Sequence, residues 1–344
     1  MTDMTEVDLV GVKQRSSLRV CLVGASGTIG RAALGELVKR GHRVVCFVRP
    51  RADYADSLIA AGIKGQSSSA TVRFVDFSNP ISIVRDGFKG EKFDVVMSCM
   101  ASRTGAPKDA WATDHKAHLS LLSAAQETGV SHFVQLSAIC VQKPVLEFQH
   151  AKLAFEKALM QSGIKYSIIR PTAFFKSLSG QIERVQRGKP FLVFGDGMLT
   201  SCKPISNNDL AVYLADCLDD RSRWNRVLPI GGPGDPITPI EQGRFLFKLI
   251  GRPPLFRQVP VVMLDCVVGT LGLLGQVAPS LTDKAELARI GRYYATESKL
   301  WLNPETGRYD AAGTPSTGAE TLFSYYRSVI NGESIVERGD HAVF

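Results

Sequence analysis

Short apolar runs alternate with amphipathic segments along the first half of the chain. The runs are continuous and rich in β-branched residues, and glycine or polar residues bound each of them. This pattern is typical of strands that are buried on both faces of a parallel sheet. The predicted strands are Leu18–Val23, Arg43–Val48, Val72–Val75, Phe93–Ser98 and Phe133–Ser137.

Apolar positions recur at helical spacing between several of these runs. The segments Ile29–Arg40 and His115–Thr128 show this spacing, and a glycine follows each, as is common where helices end. Two later runs, Tyr166–Ile169 and Val227–Ile230, predict further strands. Strands that alternate with helices predict an α/β fold, a Rossmann-type doubly wound parallel sheet with right-handed crossovers.

The same pattern divides the chain into a core and a cap. We expect a dinucleotide-binding core over residues 18–170, completed by a strand within 225–232, and tails over 1–17 and 333–344. Residues 171–224 and 233–332 form a smaller, mainly helical substrate-binding part, since both pieces follow strand ends where open α/β sheets bind ligands. Within it, Phe191–Phe194 and the turn Gly195-Asp196-Gly197 predict a hairpin.

One apolar segment, Val261–Pro279, has about the length of a membrane span. Asp265 within it would cost about 3 kcal/mol near the centre of a bilayer, and three glycines weaken the segment further. We therefore predict a helix buried in the cap. The alternative is a helix that lines a pocket or touches a membrane surface for an apolar substrate.

The strongest local motif is Gly24-Ala25-Ser26-Gly27-Thr28-Ile29-Gly30, which follows the first strand and opens the first helix. Glycine permits the tight turn, the approach of the backbone to a pyrophosphate and close packing of helix on strand. Backbone N–H groups at the helix start then face the phosphates. The GxxGxxG spacing resembles that of extended and atypical short-chain dehydrogenases/reductases.

The end of the second strand indicates which dinucleotide binds. Arg49, followed by Arg51, occupies the place where NAD-binding enzymes carry an acid for the ribose 2′-hydroxyl. A guanidinium there would bind a 2′-phosphate through charge-assisted hydrogen bonds, so we predict NADPH. The alternative is that both arginines are solvated charges. Further expected cofactor contacts follow strand ends and are Asp76, Met100, Ala101, Pro171 and Thr172.

The candidate catalytic residues lack the usual phenol. Ser137 ends the fifth strand, and Phe148-Gln149-His150-Ala151-Lys152 keeps the lysine of a YxxxK motif with phenylalanine in place of tyrosine. Phenylalanine cannot protonate an alkoxide, which disfavours alcohol–ketone chemistry and favours reduction of a carbon–carbon double bond. Lys152 would hold the nicotinamide ribose and could also be a solvated helix residue. His150 is a candidate proton donor, with a surface histidine as the alternative.

Composition and charge exclude several classes of protein. Of 344 residues, 44% are hydrophobic and 22% charged, as in a folded enzyme. The formal net charge of +8 comes without a Lys/Arg run interleaved with aromatic residues, so we expect an anionic cofactor and an acidic substrate rather than nucleic acid. Seven cysteines without a CxxC pair indicate buried thiols. His115 and His118 are too few ligands for a metal site, and no metal is expected.

Five segments of the chain are more distinctive than general dinucleotide-binding motifs, and they are LSAICVQKPVLEFQHAKLAFEKAL, YSIIRPTAFFKSLSGQ, KPISNNDLA, LPIGGPG and IGRYYATES. With these segments, the chain resembles the divinyl chlorophyllide a 8-vinyl-reductases that use NADPH, over about Arg19 to Ser328. The resemblance implies reduction of the 8-vinyl group of a divinyl chlorophyllide or protochlorophyllide, a tetrapyrrole that carries its own magnesium, to ethyl. Expected substrate contacts are Phe148, Phe174, Phe175 and, for the propionate, Lys176 or Arg292.

Two other functions stay open from the residues. One is a reductase of another conjugated alkene, as in the isoflavone reductases, and the other is a non-catalytic NADPH-sensing protein. The amino-terminal stretch has no apolar core of signal-peptide length and carries acidic residues unlike a transit peptide. We therefore expect a cytoplasmic location in a bacterial host, with peripheral contact to photosynthetic membranes as a further option.

Overall fold

Seven parallel strands form the main sheet of the protein. The computed structural model describes residues 17–50, 70–278 and 281–334. The strands are β1 (Arg19–Val23), β2 (Arg43–Val48), β3 (Ala70–Phe74), β4 (Val95–Ser98), β5 (His132–Leu136), β6 (Lys165–Pro171) and β8 (Arg226–Ile230). Their order in the sheet is β3-β2-β1-β4-β5-β6-β8, which confirms the predicted Rossmann-type doubly wound sheet.

Helices cover both faces of this sheet. The longer ones are α1 (Thr28–Lys39), α2 (His118–Glu127), α3 (Glu147–Gln161), α4 (Asn207–Asp216), α5 (Pro239–Leu249), α6 (Val261–Val277), α7 (Thr282–Thr296) and α8 (Leu322–Ile330). Short helical segments are Pro80–Ser82, Ile83–Phe88, Pro107–Ala110, Trp111–Ala117, Ile139–Gln142, Phe175–Leu178, Ile182–Gln186 and Arg221–Arg223. The predicted helix over His115–Thr128 covers the end of the π-helical segment Trp111–Ala117 and all of α2.

Strand β1 shows why the apolar runs are continuous. Its alternate residues point to opposite faces, so Val20 and Leu22 join the core under α1 and α4, while Cys21 and Val23 join the core under α2 and α3. Both faces are buried, and every position of the strand interior is apolar. Each predicted strand overlaps an observed one, and the ends differ by a few residues.

The cap has its own apolar core, which involves α5 and α8 with two short strands, β7 (Phe191–Phe194) and β9 (Phe256–Val259). The predicted hairpin at Phe191–Phe194 is wrong, because β7 pairs in parallel with β9. Gly195 and Gly197 do form a turn with positive φ angles, but the chain after it does not return along β7. Two further strands, β10 (Trp301–Leu302) and β11 (Tyr309–Asp310), pair with each other.

Helix α6 lies on α7 and leaves most of its apolar surface exposed. Val262, Met263 and Leu273 are 67%, 58% and 68% exposed, so the prediction of a buried helix is wrong. Asp265, the one charged residue of α6, pairs with Arg292 of α7, and the outer face of the helix therefore carries no unpaired charge. Among the described helices none is long and apolar enough to cross a membrane.

Candidate active site

The turn between β1 and α1 has the geometry of a dinucleotide cradle. Gly24 has a φ of +81°, and a Cβ on it would lie 2.6 Å from the backbone of Cys99 and Met100. A Cβ on Gly30 would lie 2.0 Å from the Gly24 carbonyl oxygen. Only glycine fits at both positions. The N-cap residue, Gly27, has no side chain to cap α1, which leaves the amino end of this helix open to an anion.

A cavity of about 430 Å³ lies at the carboxyl ends of β2 and β3 and is lined by Arg49, Pro50, Asp76 and Arg103. It brings together Arg49 and Asp76, which the sequence placed at the cofactor separately. The Asp76 carboxylate accepts hydrogen bonds from the Ser78 amide and hydroxyl, which lower its pKa. Arg51, the other predicted phosphate contact, lies outside the described residues.

A buried ion pair lies beside the loop that follows β4. The Lys152 ammonium donates to Asp114 Oδ1 at 2.8 Å, and the side chains are 10% and 0% exposed. The Ser102 amide donates to the same oxygen, whereas the buried Asp114 Oδ2 has no hydrogen-bond partner among the described residues. The pair thus offers spare N–H donors on Lys152 and one unpaired acceptor oxygen on Asp114. A ribose diol requires both kinds of group, because each of its hydroxyls can donate and accept a hydrogen bond. These residues fit a nicotinamide ribose.

The loop and strand ends around this pair hold the other predicted cofactor residues. Met100 is buried and Ala101 exposed directly after β4. Pro171 ends β6, and the buried Thr172 donates its hydroxyl hydrogen to the Lys203 carbonyl. Ser26 lies in the turn before Gly27, Thr28 is the first residue of α1, and Ile29 packs into the core under that helix.

Ser137 does not present a free hydroxyl. Its Oγ donates to Glu156 Oε1 at 2.5 Å, and the Arg170 guanidinium pairs with the same carboxylate. Glu156 lies one turn after Lys152 on α3 and is 1% exposed. This network fixes the end of β5 against α3 and β6 and gives Ser137 a positioning role in this arrangement.

The three aromatic residues that were expected to contact the substrate pack in apolar cores and do not line an open pocket. Phe148 is 8% exposed and belongs to a buried cluster with Ile290 and Tyr293 of α7. Phe175 is 5% exposed and packs in the cap core, with its ring centroid 5.6 Å from that of Tyr325. Phe174 is half-buried against the main core. Phe148 and Phe175 therefore stabilise the packing of the cap in this arrangement, and Phe174 packs against the main core.

The three polar candidates are also placed differently from expectation. His150 is exposed on α3, two positions before the buried Lys152 and so on nearly the opposite side of the helix, which does not support a proton-donor role. Lys176 donates to Thr28 Oγ1 at 2.8 Å and so lies at the glycine-rich turn. Arg292 pairs with Asp265 and is not available for a propionate without breaking that pair.

A second, apolar groove of about 310 Å³ lies between α6, α7 and the end of β7. Lys284 is the charged residue of its lining, and no described carboxylate pairs with it. The other lining residues are Phe194, Leu264, Val267, Leu287, Ala288 and Gly291.

Two histidines are buried in neutral form. His118 lies between Ser98 Oγ and the Thr113 carbonyl, each at 2.8 Å, and burial lowers its pKa to about 4. His132 contacts Ser167 Oγ at 3.0 Å, and burial lowers its pKa to about 3. Within the described ranges, no group of three or more His, Cys, Asp or Glu side chains could hold a metal ion.

Comparison with known proteins gives the family of the chain. Residues 24–221 match the NAD(P)H-binding family. The chain is 45% identical to divinyl chlorophyllide a 8-vinyl-reductase of Zea mays over 335 residues, which are 96% of this chain and 84% of that one. It is 46% identical to the Cucumis sativus enzyme of the same name, over 96% of this chain and 81% of that one. The chain belongs to the divinyl chlorophyllide a 8-vinyl-reductase family.

More distant relatives of this family member share only part of its length. The photosystem II assembly factor Ycf39 of Synechocystis is 28% identical over 62% of this chain and 63% of that one. The Zea mays and Cucumis sativus reductases are named as chloroplastic, so these relatives do not support the expected preference for a bacterial host.

Solved structures share the fold of the family member at low sequence identity. AtPrR2 with NADP+ and (+)pinoresinol has a TM-score of 0.66 and 18% identity, over 91% of this chain and 98% of that one. Leucoanthocyanidin reductase of Vitis vinifera with NADPH has a TM-score of 0.66 and 15% identity, over 91% and 99%. The likeness extends across the core and the cap.

Three residues of the site were missed in the sequence. Asp114 lies in the helical segment before α2, 38 positions from its partner Lys152, and no local motif links the two. Arg103 belongs to a loop without a recognisable pattern. Glu156 could have been found, because it is a carboxylate one turn after Lys152 on a helix whose same face is apolar.

Proposed function

We propose that the protein reduces the 8-vinyl group of a divinyl chlorophyllide or protochlorophyllide to an ethyl group, with NADPH as the reductant. The observation that carries the proposal is an identity of about 45% to reductases of this name over 96% of the chain. The FxxxK motif supports it, because Phe148 removes the acid of alcohol–ketone chemistry while Lys152 stays paired in the site.

The site binds the cofactor through its own charges. Arg49, with Arg103 in the same cavity, would hold the 2′-phosphate, which supports NADPH over NADH. The ammonium of Lys176 adds positive charge at the glycine-rich turn, where the pyrophosphate would lie. We therefore reassign Lys176 from the substrate propionate to the cofactor.

The buried ion pair orients the reacting end of the cofactor, which supplies a hydride when bound. Lys152 would donate to one ribose hydroxyl, and the same hydroxyl would donate to Asp114 Oδ2. The ribose would then have one preferred orientation. The network of Ser137, Glu156 and Arg170 holds α3 in register beneath them. Orientation of the two reactants is thus the main contribution of these residues.

The proposal includes a contact with a lipid surface through α6. The outer face of this helix is apolar and free of unpaired charge, and an exposed Arg257 precedes it while Lys284 lines the adjacent groove. An apolar face flanked by cations is the pattern of a helix that lies in the interface of an anionic bilayer. The pigment, which is itself apolar and brings its own magnesium, would reach the site from that surface.

One assay separates the possible functions. Purified protein is mixed with NADPH and divinyl chlorophyllide, and absorbance is followed at the Soret band and at the NADPH band. A blue shift of the Soret band with loss of NADPH is the expected result. Turnover of isoflavone-type alkenes but not of the pigment would assign another reductase. Tight binding of NADPH without turnover of either substrate would assign a sensor or an assembly factor.

A further inference from the structure

A pair of tyrosines lies close to the position where the short-chain dehydrogenase phenol is absent. Tyr293 and Tyr294 of α7 pack with the buried cluster that contains Phe148, Ala138 and Cys140. Ala138 and Cys140 lie one and three residues after Ser137, beyond the carboxyl end of β5. Helix α7 therefore brings two phenols to the end of the sheet where the predicted catalytic residues lie.

The two hydroxyls differ in their partners. Tyr293 Oη donates to the carbonyl oxygens of Cys140 and Lys143, at 2.9 and 3.2 Å. Tyr294 Oη lies 3.9 Å from the Cys140 thiol, a weak contact and its one hydrogen-bonding partner among the described residues. Tyr293 is thus held by the backbone, whereas the Tyr294 O–H group has capacity for another acceptor.

One cation lies beside the Tyr294 ring, and a second acts on the neighbouring Cys140 thiol. The Lys299 ammonium donates to the Tyr294 carbonyl at 2.7 Å and lies 5.1 Å from the centre of its ring. The ammonium groups of Lys152 and Lys299 both act on the neighbouring Cys140 thiol and lower its pKa against the effect of burial. Burial raises the pKa of Tyr294 well above its usual value, so the phenol stays protonated at neutral pH.

We propose that Tyr294 is the catalytic acid of this protein and supplies from α7 the phenol that Phe148 lacks. The inference rests on the proposed function. In the step, hydride addition forms one C–H bond of the vinyl group and leaves a carbanion delocalised into the macrocycle. The Tyr294 O–H bond then breaks, its proton forms the second C–H bond and a phenolate remains. NADPH is oxidised by two electrons, and the alkene is reduced to the alkyl group.

Lys299 and water complete the cycle. The ammonium beside the ring stabilises the transient phenolate. Tyr294 and Lys299 are half-buried residues, and in the proposed cycle water returns the proton to the phenolate once the product has left. The high pKa of the phenol is compatible with this role, since a carbanion is a stronger base than a phenolate.

The test compares Tyr294→Phe with Tyr293→Phe, a matched loss of one hydroxyl from the adjacent position. We expect Tyr294→Phe to lower kcat by about 10²-fold or more, with KM for the pigment and the Kd for NADPH from fluorescence titration within twofold of wild type. Tyr293→Phe should lower thermal stability, since two carbonyls lose their donor, and leave kcat nearly unchanged.

A third variant separates acid catalysis from packing. Tyr294→3,5-difluorotyrosine keeps the ring and the hydroxyl but lowers the phenol pKa, so the alkaline limb of the kcat–pH profile should move to lower pH. A wild-type kcat in Tyr294→Phe, or an unmoved profile in the fluorinated variant, would overturn the assignment. If the wild-type protein does not reduce the pigment at all, the proposed function itself fails, and that outcome is distinct from the other two.

Discussion

At the scale of single residues, the candidate site depends on a buried pair of opposite charges. Asp114 and Lys152 are both buried, and each would be an isolated charge without the other. Such pairs contribute little net stability but are costly to break, because the remaining charge is uncompensated. The same carboxylate keeps one oxygen unsatisfied, which a folded protein tolerates where a ligand completes the set.

Arg49 should determine the choice of coenzyme. We expect Arg49→Glu to raise the Kd for NADPH by about 10- to 100-fold, since a charge-assisted hydrogen bond contributes about 1.5–3 kcal/mol, and to leave the Kd for NADH unchanged or lower. Fluorescence titration with both nucleotides measures this. Arg43→Glu is the control, since it makes the same charge change at the exposed opposite end of β2. Equal affinities in the two variants would contradict the assignment.

Variants of the Lys152–Asp114 ion pair should affect the stability of the fold and the affinity for NADPH differently. Lys152→Met is expected to lower the free energy of unfolding by about 3–5 kcal/mol, because Asp114 is left buried and unpaired. The double variant Lys152→Met/Asp114→Leu should regain most of that stability, since no buried charge remains, but not the affinity for NADPH. Urea denaturation and nucleotide titration give the two quantities. A double variant that binds NADPH as wild type does would show that the pair is structural only.

At the scale of elements, α6 and α7 pack against each other and make different contacts with the rest of the protein. One face of α7 carries Ile290, Tyr293 and Glu286 into the packing against α3, and the Glu286 carboxylate accepts from the Glu147 amide at the start of that helix. The other face lines the apolar groove with Lys284 and Leu287. Helix α6 covers that second face and leaves its own outer surface uncovered.

The outer face of α6 should direct the protein to lipid. Burial of one large aliphatic side chain contributes about 1.5–3 kcal/mol, so the double variant Val262→Asp/Leu273→Asp should lower partitioning to anionic vesicles at least about tenfold. Vesicle flotation measures the bound fraction. Ile81→Asp is the control, because Ile81 is 67% exposed and distant in sequence. Equal flotation of the double variant and wild type would exclude this helix as the contact.

Elements that a local sequence pattern encodes could be predicted from the sequence. Contacts between residues far apart in the sequence could not. The run of β1 and the turn at Gly24 follow from periodicity and from backbone sterics, and both were predicted correctly. The parallel partner of β7 lies 65 positions away, and its pairing has no local signal. Helix α6 was misassigned for a related reason, since an apolar segment predicts burial but not which surface covers it.

The same distinction applies to the site. Arg49 and Asp76 each follow a strand, so the parallel sheet itself brings them to one edge, as the sequence predicted. The partners of Ser137 and Lys176 could not be predicted, because they depend on where α3 and the cap lie relative to β1 and β5. Their functional roles stay predictions.

At the scale of the whole molecule, the sheet separates two apolar cores, and the buried polar side chains include the histidines His118 and His132. His118 lies in the core under α2, and His132 begins β5 beside the Trp224 ring. Both imidazoles stay neutral in the folded protein until the pH approaches their lowered pKa values of about 4 and about 3. Both side chains therefore make the stability of the fold sensitive to acid.

Stability should therefore fall as pH falls from about 6.5 to 5. The pKa values of His118 and His132 are lowered to about 4 and about 3, so the unfolded chain binds more protons below pH 6.5 than the folded chain does. Each group contributes a slope of up to about 1.4 kcal/mol per pH unit. Urea denaturation at several pH values measures the slope.

Two variants test this origin. His132→Gln should reduce the slope by the share of one group, because glutamine does not titrate. His150→Gln is the control and should leave the slope unchanged, since His150 is exposed in the folded protein. A slope that His132→Gln does not change would assign the acid sensitivity to other groups.

The exposed face of α6 also carries a thiol, Cys266, and it is the one exposed cysteine of the seven. The other six are buried or half-buried, and burial raises the pKa of each, which keeps them as unreactive thiols at neutral pH. A maleimide dye would consequently label the native protein at a single site without any engineered cysteine. A polarity-sensitive fluorophore there would report directly, in real time, when lipid or pigment covers this helix.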